Sequence, residues 1–397
     1  MKKNYLMLAA TAATVMAFSA CNKMETINAV SETGSISFRT NLDYARLRGT
    51  EVNLQSLQQS GFKVYADKEG QRYFDERVSY GTPIPNRWST VTPYYWPDAG
   101  TVKFWAYEND GAGTATVNST EQKITNFTPA EAHSSTAAMV ELQKDLVVAY
   151  GEGTKAANES TGLQLTFKHA LAQIEIKAKN DNPTRTVKVL GVQIVGVDGK
   201  ATLTLPTNNT ELAWANNEEV NGSNGAHYDD LGNATTAVEL DGTPKRIMKT
   251  TAGNNFMLIP QQLTAWNYTE EAATKNFTGA YIAVMMQVSE NGAPRFPTAT
   301  QLAANPHAYI VGTVAINTLW EAGKKYTYQL DFTNGVGNMP PSKHPEPTPN
   351  PGVTPAPGRV VPSPVTPDPG QPILGQPISF TVEVTDYVNV DQGVAMP

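Results

Sequence analysis

The residues best suited to chemistry in this chain are few. There are five histidines, His133, His169, His227, His307 and His344, and a single cysteine, Cys21. The histidines show no metal-binding spacing such as H-E-x-x-H, and His169 reads as a packing or hydrogen-bonding residue rather than a ligand. No G-x-S-x-G elbow presents a serine nucleophile. Gly151-Glu152-Gly153-Thr154-Lys155 has the look of a phosphate loop, but it lacks the full glycine spacing and a following helix. Glu218, Glu219, Asp229 and Asp230 stand among asparagines in the stretch 208–233. Such oxygens suit a hard cation, but they suit a solvated loop as well, and the loop is the favoured reading. Carboxylate pairs for glycoside hydrolysis depend on a separation that only the fold sets. The sequence therefore nominates no catalytic residue, no metal site and no cofactor.

Cys21 has a different use. Lys2 and Lys3 precede an apolar stretch from Tyr5 to Phe18, and Ser19-Ala20-Cys21 closes it with small residues before the cysteine. This pattern predicts a secretory signal over 1–20 and a lipobox, with Cys21 as the lipidated residue of a tether over 21–34. Three acyl chains on that residue, at about 0.8 kcal/mol per buried methylene, make a firm membrane anchor. With no second cysteine, no disulfide forms within the chain, and the core alone must hold an exported fold. The net charge of −7 is modest, and the 30 lysines and arginines form no basic run, which argues against nucleic acid as a partner.

The elements that must hold any site are strands. Period-two alternation recurs at 36–39, 61–66, 101–107, 163–167, 174–178, 187–190, 192–195, 281–288, 309–316 and 326–332. Asp198-Gly199 carries a hairpin signal. Only 54–60 and 131–144 suggest helix. Many short strands and few helices predict an all-β chain of two β-sandwich domains. The small polar stretch 151–161 places the junction between an N-terminal domain, 35–158, and a C-terminal domain, 159–338. Residues 340–377 hold fourteen of the 27 prolines. That composition predicts a polyproline spacer over 339–377, with a reach on the order of 100 Å. The aromatics Trp88, Tyr94, Tyr95, Trp96, Trp105 and Tyr107 suit either a sugar-stacking platform or a core, and their size favours packing. Alternation sets Phe104 and Ala106 on one face and Trp105 and Tyr107 on the other, so one pair lies near an outer surface or a domain contact.

The segment after the spacer, 378–397, opens with a complete amphipathic strand. Ile378, Phe380, Val382 and Val384 point one way; Ser379, Thr381, Glu383 and Thr385 point the other. A lone strand has no stability, so this one must add to a sheet of its own chain or of another.

Several segments together resemble the fimbrillin family of lipoprotein pilins, the subunits of type V pili. They are the block Trp88…Tyr94-Tyr95-Trp96-Pro97…Val102 to Tyr107, the segment Phe167-Lys168-His169-Ala170-Leu171-Ala172, the turn Leu258-Ile259-Pro260-Gln261, and Trp320-Glu321-Ala322-Gly323-Lys324-Lys325-Tyr326-Thr327-Tyr328. The resemblance spans roughly residues 21–335 and the final strand. It implies two sandwiches of transthyretin-like topology and export as an outer-membrane lipoprotein. It also implies cleavage by an arginine-specific protease after the first strand, here at Arg46 or Arg48, before Gly49. The vacated groove then accepts a strand of the next pilin subunit, with Ile378, Phe380, Val382 and Val384 as candidate donors. The result is a surface fimbria supporting adhesion to a host or bacterial surface ligand. Two other readings stand beside it: an uncleaved surface lipoprotein that binds glycan, and a secreted hydrolase. The lipobox yields a direct test: Cys21→Ser should leave an unprocessed or soluble precursor in a membrane fractionation, and a variant that stays membrane-bound after detergent-free washing contradicts the anchor.

Overall fold

The computed structural model of the protein describes residues 34–42, 52–108, 114–129, 143–207, 212–218, 226–248, 255–267, 278–347, 353–363 and 366–386. The first half runs β1 (Phe38–Leu42), α1 (Leu54–Ser60), β2 (Phe62–Lys68), β3 (Gln71–Tyr80), β4 (Trp88–Thr90), β5 (Val102–Glu108), β6 (Thr114–Val117), β7 (Gln122–Phe127), β8 (Val147–Gly153), α2 (Lys155–Asn158) and β9 (Leu163–His169). Seven of its strands close a barrel in the order β1-β4-β3-β2-β5-β8-β9. Phe62, Val64, Phe104, Ala106, Leu165 and Phe167 fill it and are fully buried. The chain is all-β as expected, but β9 closes this first barrel. Leu163–His169, expected at the start of the second domain, thus pairs within the first barrel. The polar stretch 151–161 includes a one-turn helix, α2, capped by the Thr154 side chain. Of the two suspected helices, 54–60 forms with Asn53 and Ser56 as a capping box. Residues 131–142 lie outside the described residues.

The second half runs β10 (Ala172–Lys179), β11 (Arg185–Val197), β12 (Lys200–Thr204), β13 (Ala213–Glu218), β14 (Ala226–Leu231), β15 (Val238–Glu239), β16 (Lys245–Arg246), β17 (Phe256–Leu258), β18 (Tyr281–Glu290), β19 (Ala293–Phe296), α3 (Ala299–Ala304), β20 (Ala308–Ala315), β21 (Lys324–Asp331), β22 (Gly358–Arg359) and β23 (Ser379–Asp386). Two sheets, β16-β10-β21-β23 with β17, and β14-β11-β18-β20-β22 with β15 and β19, face each other across a core that includes Ile174, Ile176, Val192, Ile194, Ile282, Val284, Tyr326 and Tyr328. The two stretches 187–190 and 192–195 are one strand, β11, because a bulge between Val189 and Gly191 shifts the register. Only glycine fits at 191, where a Cβ would lie 2.4 Å from the Asp230 carbonyl oxygen. Asp198-Gly199 makes no hairpin. It carries the chain out of β11's sheet into the small sheet β13-β12-β7-β6, which joins the two halves through the β7–β12 pair. Between the halves lies a third core of Tyr65, Trp105, Ile124, Phe127, Leu146, Val148, Leu171, Leu203, Met257 and Ile259. That core is why Tyr65, Trp105 and Val148, on the faces of β2, β5 and β8 turned away from the barrel interior, are apolar and buried too.

The proline-rich segment is not an extended spacer. Its two ends pair with each other. Val336 N–H donates to the Leu374 carbonyl (3.1 Å), Ile373 N–H to Gly337 (3.0 Å) and Gln376 N–H to Asn334 (2.9 Å). Gly335 and Gly375 allow the two backbones to meet, since a Cβ on Gly335 would fall 1.6 Å from the Gln376 carbonyl oxygen. The described residues between these ends pack on the sheet. Pro340, Pro341, His344, Pro347, Pro357 and Pro362 are buried, and β22 adds in parallel to β20. Proline asks for no amide partner, so such a segment can cover an apolar face that already exists. That face carries Val195, Tyr281, Ala283, Met285, Tyr309 and Val311. His344 Nδ1 shares a hydrogen bond of 2.8 Å with the Tyr281 hydroxyl, and Gln193 Nε2 donates to the Pro345 carbonyl at 3.3 Å.

Burial, reinforced by Arg359 and His227, pushes the His344 imidazole down to about 3. An unfolded histidine protonates near its ordinary 6.5, so between those two values the unfolded chain holds the extra proton. Stability is therefore full above about pH 6.5 and falls on acidification, by up to about 1.4 kcal/mol per pH unit from this group. His344→Asn should flatten the dependence of urea-unfolding stability between pH 6.5 and 4, and an unchanged slope would show that His344 is not the group responsible.

Candidate functional site

Two strands at the ends of the described chain are held differently from the rest. β1 is the stave that closes the barrel. Its alternation turns Phe38 and Leu42 inward and Arg39 and Asn41 to solvent. It pairs with β9 in parallel over its whole length, Phe38 opposite Leu163 through Leu42 opposite Phe167, but with β4 through one pair, Phe38 opposite Trp88. Phe38 is 0% exposed and meets the ring of Phe104 edge-on at 5.3 Å. Trp88 Nε1 donates to Thr40 Oγ1 at 2.9 Å. The residues before it are tied down as well. Ile36 N–H donates to the Tyr94 carbonyl at 2.6 Å, and Arg87 bridges from Ser37 Oγ (3.2 Å) to the Ser160 carbonyl (2.8 Å).

β23 lies antiparallel to β21 along eight pairs, Asp331 opposite Ser379 through Lys324 opposite Asp386. It is the last strand of that sheet's order. The Lys324 ammonium and the Asp386 carboxylate form an ion pair at its end. Of its candidate donor residues, Ile378 is buried, Phe380 and Val382 are half-buried, and Val384 is 49% exposed. The Phe380 ring leans on Tyr328 at 6.0 Å. In this chain the strand therefore adds to its own second domain, with its apolar stripe only partly covered. Cys21, Arg46 and Arg48 lie outside the described residues.

The other sequence candidates fall into structural roles. His169 Nδ1 is 2.6 Å from Asp145 Oδ2, both side chains buried, and the same carboxylate oxygen accepts from Val52 N–H at 3.1 Å. The pair ties the end of β9 to the segment leading into β8 and to the entry of α1. Asp229 and Asp230 are not in a solvated loop. They sit on β14 and are buried, with Asp229 Oδ1 accepting from Gln193 Nε2 at 2.6 Å; their neighbours in sequence, rich in asparagine, concealed the strand. Glu218 ends β13, and Glu219 and His133 lie outside the described residues. His227 is half-buried on β14, and His307 Nδ1 accepts from Ala234 N–H at 3.2 Å. Among the described residues no cluster of three or more metal-ligating side chains occurs. Trp88, Trp96 and Trp105 are buried, Trp105 in the core between the halves, while Tyr95 is 49% exposed.

The family-like segments meet at the junction. Lys168-His169, Pro260-Gln261 and Trp320 to Lys324 line one groove of about 590 Å³ together with Leu212, Trp214, Leu319 and Asp386. They also hold the junction. Gly323 N–H donates to the Leu171 carbonyl (2.9 Å) and Trp214 Nε1 to the Ala170 carbonyl (2.8 Å), while within the second half Trp320 N–H donates to the Gln261 carbonyl (2.8 Å). Trp320 Nε1 donates to Tyr328 Oη at 3.0 Å within the second core.

A barrel closed by a stave that pairs fully on one side and through one residue pair on the other, joined to a sandwich with β23 at its edge, defines a β-structural protein. The family profile described as fimbrillin-like matches residues 55–343, and the chain belongs to that family. Membership supports a pilus-subunit role at the cell surface and a structural, non-enzymatic protein that assembles with other subunits. A comparison with curated proteins returned no match. Among solved structures, the chain is similar to a fimbrilin from Porphyromonas gingivalis W83 (13% identity, 90% of this chain and 98% of that one, TM-score 0.39). It is also similar to a fimbrial assembly protein from Parabacteroides distasonis ATCC 8503 (12% identity, 75% and 92%, TM-score 0.34). A third is a candidate cell adhesion protein from Bacteroides ovatus ATCC 8483 (12% identity, 90% and 99%, TM-score 0.42).

The stave geometry makes Phe38 the test of barrel closure. Phe38→Ala should destabilise the first half by about 3–5 kcal/mol and open β1 to limited proteolysis, while Arg39→Ala, on the outer face, should change urea-unfolding stability by less than about 0.5 kcal/mol.

Proposed function

We propose that this chain is a structural subunit of a surface fimbria. It is exported as a precursor lipidated at Cys21, cut after Arg46 or Arg48 in the segment that follows β1, and assembled by accepting a strand from the next subunit and donating its own last strand. The observation that carries this reading is the asymmetry of β1. It completes the barrel, it buries Ile36, Phe38 and Leu42, and it holds β4 through one residue pair. Taking it out leaves the backbone edge of β9 and an apolar groove open together, and a donated strand repairs both. The chain running on from Leu42 carries the two arginines, where a cut would separate β1 and its anchor from the rest. Adhesion follows as the role of the assembled fibre, with a host or bacterial surface ligand as the partner.

One observation favours the reading of an uncleaved surface lipoprotein: β23 already has a full antiparallel partner, β21, in its own chain. That reading lacks the aromatic platform expected for glycan, since the tryptophans of the first half are in cores. Deleting residues 377–397 separates the two. In the fimbrial reading the truncated chain folds and is lipidated but does not polymerise; a truncated monomer that unfolds favours the uncleaved lipoprotein, and one that still polymerises removes the last strand from the mechanism. The Arg46→Ala, Arg48→Ala variant should stay monomeric and cell-bound by size-exclusion and fractionation, and N-terminal sequencing of natural polymer should start after one of these arginines.

A further inference from the structure

The loop that joins β4 to β5, residues 91–101, is anchored from below and apolar on its outside. Beneath it the Trp96 ring is buried and meets Phe104 edge-on at 5.7 Å. It fills the space over Gly153, where a Cβ would lie 2.5 Å from it. Tyr94 stacks on Phe74 at 4.5 Å. The Tyr73 hydroxyl donates to the Tyr95 carbonyl and the Thr90 hydroxyl to the Thr92 carbonyl, each at 2.6 Å. This frame turns two apolar groups outward: Val91 is 79% exposed, the most of any large apolar side chain among the described residues, and Tyr95 is 49% exposed. Thr92 and Pro93 are exposed beside them. Core packing accounts for Trp96 and Tyr94 but for neither Val91 nor Tyr95. The same loop receives the start of the described chain. Ser35 bridges to Tyr95, and Ile36 N–H donates to the Tyr94 carbonyl at 2.6 Å. Residues 22–33 are all that separate Cys21 from Gly34, a reach of at most about 45 Å.

We propose that Val91 and Tyr95 form a membrane-contact site that lays this part of the barrel on the lipid surface while the chain is anchored. The proposal rests on the lipidated precursor of the reading above and adds to it the face turned to the bilayer. A tyrosine ring, apolar with a polar tip, suits the headgroup level, and a valine beside it reaches the acyl boundary. Two such side chains hold a free protein to a bilayer weakly. The tether makes their contact intramolecular and supplies a high effective concentration. Charges of both signs stand around the loop: Lys155 pairs with Asp98 at 2.7 Å, Glu76 accepts from the Tyr94 hydroxyl at 3.1 Å, and Glu159 lies against Gly34. The contact is therefore made by apolar groups and suits zwitterionic lipid. It also fixes which way the chain faces. At about 3.3 Å per residue, β1 carries the backbone about 20 Å from Ile36 to Leu42, away from the loop, before the chain runs on to Arg46 and Arg48. The contact thus leaves that end of the barrel open to a protease in solution.

The test uses the full-length lipidated precursor in vesicles of phosphatidylcholine and phosphatidylethanolamine. Cys21 is the only cysteine, and its sulfur carries the lipid, so one added cysteine alone takes a fluorophore. Thr92→Cys labels the loop. Gln59→Cys labels the exposed side of α1, at the end of the barrel where Val52 binds Asp145. Lipids brominated next to the headgroup should quench the Thr92 probe about fivefold more than the Gln59 probe, because the contact is confined to the interface. Adding Val91→Asp and Tyr95→Asp should lower quenching at Thr92 to the level at Gln59, while flotation finds the chain still on the vesicles and its urea-unfolding midpoint unchanged. If the aspartates lower that midpoint, Val91→Ser with Tyr95→Ser makes the same comparison. Equal, strong quenching at both probes, or quenching at Thr92 that survives the substitutions, overturns the contact while the anchor stands. Quenching at neither probe overturns the lipid surface and leaves a protein as the occupant of the loop. A chain that does not float with the vesicles removes the anchor, and the contact with it.

Discussion

The structure turns on how a β-sheet deals with an edge. Every unpaired strand presents a row of amide hydrogens and carbonyls, and the stable solutions are to close the sheet, cover it or pair it. This chain closes its first sheet with a strand inserted in parallel against β9, which is the less stable pairing per residue. It secures that strand mainly by dropping Phe38 among Phe62, Phe104 and Trp88. The closure thus depends on one aromatic cluster more than on a hydrogen-bond ladder. The second sheet is finished by the opposite device, a long and regular antiparallel pairing of β23 on β21, with little side-chain burial beneath its far end. One terminal strand has a good pocket and a thin ladder; the other has a good ladder and a thin pocket.

Between them, the joint is built from backbone groups at element ends. The carbonyls of Ala170 and Leu171, at the junction itself, accept donors from Trp214 and Gly323 of the second half, and the third core behind them is filled from both halves. The halves do not behave as beads on a string. The β7–β12 pairing runs one sheet through both, so bending between them would break a ladder as well as a packed core. A subunit that transmits force along a fibre has use for such stiffness.

Much of this was legible in the residues. Alternation located β2, β5, β9, β10, β21 and β23, and the aromatic block was read as packing because each ring carries so much area. Three of the motif segments that pointed to the family meet at one groove beside the junction, and the fourth, the aromatic block, packs in the cores of the first half and of the junction. What escaped had a common cause: partners distant in sequence. Leu163 to His169 shows the same pattern whichever domain it joins, and its parallel pairing with β1 is invisible locally. Asp229 and Asp230 look solvated until Gln193 and β11 are placed beside them. The prolines of 340–369 lack an apolar period of their own, yet among the described residues Pro340, Pro341, Pro347, Pro357 and Pro362 are buried where the segment covers a face supplied by β11, β18 and β20. The run Tyr281 to Val288, apolar on both parities, was the sign that something had to lie on that face.

The crossing of Gly335 and Gly375 has a mechanical side. Because the loop leaves β21 and returns to β23 at the same point, tension applied between residues 331 and 379 acts at its base and parts the hydrogen bonds one after another, as in opening a zip. A strand seated along a groove and pulled lengthwise must instead shear its contacts together. The loop is therefore loaded at its base one hydrogen bond at a time. Its thirty residues, 340–369, pay out on the order of 100 Å of chain when fully drawn. In a fibre joined through its last strands, each subunit would contain its own extensible link, and a sudden load would be spent lengthening the chain before it reached any joint.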